Sequence, residues 1–122
     1  MPQISVDYSA ALADSLDRPA LGLDLNRLAV EHLDAAPDAC RTRFRPVDET
    51  VVAGGRAVEQ DLLLVAFHIF PGRAAQAKAD LAEAVLALLA ERLVPAPGRA
   101  VHAAVDVVET DRGSYRGATL AG

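Results

Sequence analysis

Pro2 and four arginines are the residues of this chain whose chemistry stands out. Pro2 follows the initiator and leads into a strand-like run, Ile4-Ser5-Val6-Asp7-Tyr8. With Met1 removed it becomes a secondary amine at the start of a strand. An α-amino group titrates near about 7.7 to 8.0, and burial beside cations lowers that value. A general base works best with a pKa close to the working pH, so such an amine suits proton abstraction at neutrality. Arg41, Arg43 and Arg45 alternate with Cys40, Thr42 and Phe44, which puts three guanidinium groups on one strand face. No acidic residue stands between them, and like charges on one face repel. An anion relieves that crowding. Arg73 follows Phe70-Pro71-Gly72 and opens a helical pattern, where free backbone amides also favour an anion. Guanidinium groups hold carboxylates in two-pronged fashion, so a small dicarboxylate is the ligand these residues suggest.

The elements that must position these groups are legible. A first strand is expected over residues 3 to 8, then a polar connection from Ser9 to Ser15. Asp17-Arg18-Pro19 reads as a helix start, with Asp17 as cap and proline in the first turn. Leu21, Leu25, Leu28 and Leu33 form an apolar stripe that ends near Ala36-Pro37. A second strand is predicted over 39 to 45, a turn at Gly54-Gly55, and a third strand over 61 to 70 whose near-continuous apolar core suits burial on both faces. Residues 73 to 93 form the second helix, with Leu81, Val85, Leu88 and Leu89 on one stripe, and a fourth strand runs from 100 to 109. The tail from Ser114 to Gly122 has little capacity for a core.

The order strand, helix, strand occurs twice, in halves of similar length. Each half builds a right-handed βαβ unit with a parallel strand pair. Side by side they give an α+β, two-layer domain: a four-stranded sheet with two long helices on one face. The other face carries apolar side chains that need a cover, so an oligomer is expected.

At 122 residues, 52% of them hydrophobic, the chain is one domain with enough apolar material for a core. A formal charge of -5 argues against nucleic-acid or membrane-surface partners, which call for a basic face. A lone cysteine, Cys40, and the absence of a leader-like start point to the cytoplasm.

Three stretches together resemble the 5-carboxymethyl-2-hydroxymuconate isomerases, a branch of the tautomerase superfamily. They are the opening Met1-Pro2-Gln3-Ile4-Ser5-Val6-Asp7-Tyr8-Ser9, the pair in Cys40-Arg41-Thr42-Arg43, and Pro71-Gly72-Arg73 before the second helix. The resemblance implies tandem βαβ units assembled as a homotrimer. It also implies a cofactor-independent isomerase that binds no metal and uses its amino-terminal proline to move a proton between carbons of an unsaturated dicarboxylate from aromatic-compound breakdown. On that reading Pro2 is the base, and Arg41 and Arg73 clamp carboxylates or stabilise the dienolate. Arg43 contributes to substrate binding or to a subunit contact; Tyr8, read from the residues alone and not from the resemblance, is a candidate hydrogen-bond donor to substrate. Related reactions of the same fold are hydration, dehalogenation and decarboxylation of an unsaturated acid, and a trimeric binding protein without catalysis is the remaining alternative. The chain departs from the family pattern in the third strand, where Leu62-Leu63-Leu64-Val65-Ala66 replaces a histidine-bearing run, and in its tail around Ser114-Tyr115-Arg116.

His32, His68 and His102 show no metal-ligand spacing and are read as structural or surface residues. Cys40 is read as a small core residue. Tyr115, like Tyr8, is read first as a packed aromatic.

Overall fold

The computed structural model describes residues 1–53 and 60–122; the Gly54-Gly55 turn expected from the sequence lies outside the described residues. Four strands, β1 (Gln3–Ser9), β2 (Arg41–Val47), β3 (Gln60–Ile69) and β4 (Ala100–Glu109), form one sheet in the order β2-β1-β3-β4. The outer pairs β1–β2 and β3–β4 are parallel, and the central pair β1–β3 is antiparallel. Two βαβ units therefore lie side by side, as the repeated element order predicts, and the structure shows that they meet at their first strands.

The long helices α1 (Arg18–Leu33) and α2 (Ala75–Arg92) connect the parallel pairs and cover one face. Asp17 caps α1 by accepting a hydrogen bond from the Ala20 amide at 3.2 Å, which satisfies one of the free donors at the helix start. Leu21, Leu25, Leu28 and Leu33 of α1, and Leu81, Val85 and Leu89 of α2, are all buried. They meet Ile4, Val6, Leu63, Val65, Phe67 and Ile69 from the two central strands. Gly22 lets α1 approach the edge strand: a Cβ there would stand 3.3 Å from the Phe44 ring.

Three details differ from the sequence reading. The stretch after β1 is a 3-10 helix, Ala10–Ser15, because Leu12 is apolar enough to be drawn into the core. β2 starts two residues later than expected, since Pro37–Ala39 forms a 3-10 turn, and it runs on through Pro46. An edge strand tolerates proline, because its outward amide has no ladder partner to lose. The first helix stops at Leu33, where Asp34 takes a left-handed conformation (φ 53°).

The uncovered sheet face follows directly from the strand registers. Its rows are Arg41–Gln3–His68–Val108, Arg43–Ser5–Ala66–Asp106 and Arg45–Asp7–Leu64–Ala104. Leu64 is 42% exposed in the single chain, an apolar side chain on a central strand that the described residues leave partly open.

Candidate active site

The site is built where β1 and β2 begin and β3 ends. Gln3 pairs with Arg41 on one side and with His68 on the other, so these three side chains share one row of the open face. The Arg41 amide donates to the Pro2 carbonyl at 3.4 Å, which ties the residue after Met1 to the first residue of β2. The Pro2 ring itself is fully buried.

A cleft of about 500 Å³ opens at this end, lined by Met1, Gln3, Arg41, Tyr115 and the segment Gly117–Thr119. That volume suits a small molecule. Arg41 is exposed, and one arm of its guanidinium donates to the Ala39 carbonyl at 3.2 Å. The rest of its donor fork remains for an anion. Gln3 Nε2 donates to the Tyr115 hydroxyl at 3.5 Å. Tyr115 is held in place by an edge-to-face contact with Phe70, ring centroids 5.3 Å apart, and the Arg112 guanidinium lies 4.2 Å over the Phe70 ring. A tail with no core of its own is thus clamped onto the sheet end.

Of the other residues singled out from the sequence, Arg73 comes to the same end of the sheet but does not line the cleft. Its Nε donates to the Leu33 carbonyl at 3.2 Å and its Nη1 to the Phe70 carbonyl at 3.4 Å. The guanidinium closes the last turn of α1 against the loop after β3, because the first helical residue is Ala75 and Arg73 precedes it in the turn. Gly72 permits that turn with φ 124°. Arg43 lies one row along from Arg41, exposed on the open face beside Ser5, and hydrogen-bonds none of the described residues. Arg45, the third arginine, is paired: Nε and Nη2 reach the Asp7 carboxylate at 2.7 and 3.2 Å. The hydrogen bond and the charge of Asp7 raise the Arg45 pKa above its ordinary value.

Tyr8 is not brought to the cleft. It is buried on the helix-covered face, accepts a hydrogen bond from Arg18 Nη1 at 3.1 Å and stacks edge-on against Phe44. Six residues of strand, about 20 Å, separate it from Pro2. Pro2 leads into β1 and Tyr8 lies near its far end, so the two stand at opposite ends of the strand.

Cys40 is buried just before β2, its Sγ 3.5 Å from the Ala36 carbonyl. Burial pushes the thiol pKa up, and the nearby α-ammonium of Met1 offsets part of the rise. The expected core residue is what the structure contains. Among the described residues no group of His, Cys, Asp and Glu is disposed to hold a metal ion, and no helix is long and apolar enough to cross a membrane.

His68 and Tyr115 are the site residues that sequence reasoning undervalued. The alternation of β3 puts His68 opposite Phe67 and hence on the open face, but only the antiparallel register aligns it with Gln3. No local signal marks Tyr115, whose place depends on how the tail folds back. A second groove, of about 330 Å³, lies at the start of β4 between Leu86, Leu89, Leu93 and Val101; among the described residues His102 is its one titratable lining residue.

No family model matches the sequence, and no curated protein matches it. Solved structures do. A 5-carboxymethyl-2-hydroxymuconate isomerase from Deinococcus radiodurans R1 superposes with a TM-score of 0.78 at 17% identity, over 98% of this chain and 90% of its own. The fold is tautomerase-like. A fused 4-OT described as a wild-type symmetric trimer gives a TM-score of 0.73 at 15% identity, covering 93% of this chain and 92% of that one. A protein called N1, a member of the cis-3-chloroacrylic acid dehalogenase family, gives 0.65 at 26% identity over 88% of this chain and 76% of its own. The tautomerase-like architecture and the structural neighbours agree with the resemblance read from the three sequence stretches. The neighbours named here do not share one reaction.

Proposed function

We propose that this chain is a cofactor-independent enzyme that moves a proton on an unsaturated carboxylic acid, with Pro2 as the base after Met1 is removed. The observation that carries this reading is the cleft at the start of β1, where Met1 and Arg41 line one small-molecule-sized space. Loss of Met1, which lines that space, converts the amide nitrogen of Pro2 into a secondary amine at the point where Met1 was attached. The buried ring and the neighbouring guanidinium both disfavour the ammonium form, which keeps the amine a usable base near neutrality. Arg41 anchors the substrate carboxylate and stabilises negative charge as a dienolate develops. Pro2 takes a proton from one carbon and returns it to another, so the double bond shifts and no atom is gained or lost. The resemblance to the 5-carboxymethyl-2-hydroxymuconate isomerases points to a dicarboxylate from aromatic-compound breakdown, and to the cytoplasm as the setting.

The assembly we propose is a homotrimer that covers the open sheet face, where Leu64 is exposed and Arg43 hydrogen-bonds none of the described residues. The symmetric trimer formed by the fused 4-OT supports this. A second reaction is favoured by one finding, the 26% identity to the dehalogenase-family protein: addition of water across the double bond, with loss of halide from a halogenated acid. Two measurements separate these readings. Intact mass of the purified protein is expected to lack the methionine. Incubation with unsaturated acids in deuterium oxide is expected to give isomerised, carbon-deuterated product. Hydrated or dehalogenated product selects the second reaction, and a retained Met1 rules out the proline mechanism.

A further inference from the structure

The cleft contains two kinds of anchor, and they differ in charge. On the β2 side stands the Arg41 guanidinium, and across Gln3 stand two neutral groups, the Gln3 carboxamide and the Tyr115 hydroxyl. Arg73, the residue expected to hold a second carboxylate, donates to the Leu33 and Phe70 carbonyls. Among the described residues, Arg41 is the one side-chain cation that lines this space; the α-ammonium of Met1, which also lines it, gives way on removal of Met1 to the Pro2 amine, a neutral base in the proposed function.

We infer that the preferred substrate carries one carboxylate, held by Arg41, and one uncharged oxygen, held by Tyr115 and Gln3. The inference rests on the cleft being the substrate site and replaces the dicarboxylate expected from the resemblance with a monocarboxylate that carries a neutral oxygen. Tyr115 accepts from Gln3 Nε2, so its own O–H proton is left to donate to a carbonyl or hydroxyl oxygen of the ligand. The second Nε2 hydrogen of Gln3 is a further neutral donor. A second carboxylate at this position loses part of its hydration without gaining a countercharge, which is costly in a half-enclosed space. A neutral carbonyl pays far less and gains the same hydrogen bonds.

The phenol is fixed from three sides. Phe70 meets its ring edge-on, and Gln3 meets the hydroxyl. At Gly117 a Cβ would lie 3.1 Å from the hydroxyl oxygen, so glycine there keeps that oxygen approachable. Tyr115 and Gln3 are therefore specificity-determining residues whose geometry is set by the folded-back tail.

The test uses the full-length protein and two matched probes, fumarate and its monoamide, which differ in replacing one carboxylate by a carboxamide. Binding is read by the ligand-dependent rise in thermal stability across a concentration series. The monoamide is expected to bind about tenfold more tightly than fumarate, the scale of satisfying a neutral pair against stranding a charge. Tyr115→Phe, which keeps the contact with Phe70, and Gly117→Val, which crowds the hydroxyl, are each expected to reduce that preference at least threefold. Equal or tighter binding of fumarate overturns the inference, as does an unchanged preference in both folded variants. Binding needs no base, so the outcome is independent of turnover by Pro2.

Discussion

Replacing Arg73 by alanine separates a substrate clamp from a structural tie. In the folded chain this guanidinium donates to Leu33 at 3.2 Å and Phe70 at 3.4 Å. The Leu33 carbonyl belongs to the last turn of α1, whose terminal acceptors have no partner within the helix. Both bonds are long, so each contributes about 0.5–1 kcal/mol. A cation at a helix C-terminus adds about 0.3–1 kcal/mol. The sum is about 1.3–3 kcal/mol, which for a domain of this size lowers Tm by roughly 4–12 °C. Thermal and urea unfolding at one fixed protein concentration measure it, since association shifts apparent stability. Arg73→Lys keeps the charge but not the fork and is expected to recover less than half of the loss. A variant that melts within 1 °C of the parent yet loses a hundredfold in kcat/KM would refute the reasoning, because Arg73 would then be acting on substrate.

Arg41→Ala is expected to weaken binding of any carboxylate probe at least tenfold with little change in Tm, measured by the same thermal titration, because the side chain is exposed and its one described bond is to Ala39. Phe67→Ala removes a fully buried ring from the centre of the core and is expected to cost about 3–5 kcal/mol in urea unfolding. Cys40 has a raised pKa through burial, so the folded state favours the neutral thiol: the stabilisation is complete below the thiol's ordinary value and falls as pH rises through and above it. Cys40→Ser is expected to flatten that alkaline decline in denaturation experiments, and iodoacetamide is expected to label native Cys40 far more slowly than the unfolded chain.

The architecture was legible because its signals are periodic. Leucine spacing gave both helices and their buried stripes, apart from Leu88, which is only partly buried, and β4 was predicted over the same residues that form it, Ala100–Glu109. The alternation of Arg41, Arg43 and Arg45 with Thr42 and Phe44 also correctly assigned the arginines to one exposed face. What alternation cannot supply is register. Tyr8 and Pro2 share a strand but not an end, and Arg41 and Arg45 share a face but not a fate, since only register puts Asp7 opposite Arg45. The partners of Arg73 were hidden for a related reason. A cation before a helix suggests an anion at the N-terminus, whereas here the nearest unsatisfied acceptors belong to the end of another helix. Tyr115 depends on a tail whose sequence carries no periodicity at all.

Turnover of the Pro2→Ala variant tests the central claim most directly. Alanine keeps an α-amino group after methionine removal but loses the fixed secondary amine. With any unsaturated acid that the wild-type chain is found to turn over, kcat/KM is expected to fall by about 10²–10⁴, the usual contribution of a positioned general base, while Tm and carboxylate binding at Arg41 change little. Turnover equal to that of the wild type, in protein shown by mass to have lost Met1, would contradict the account.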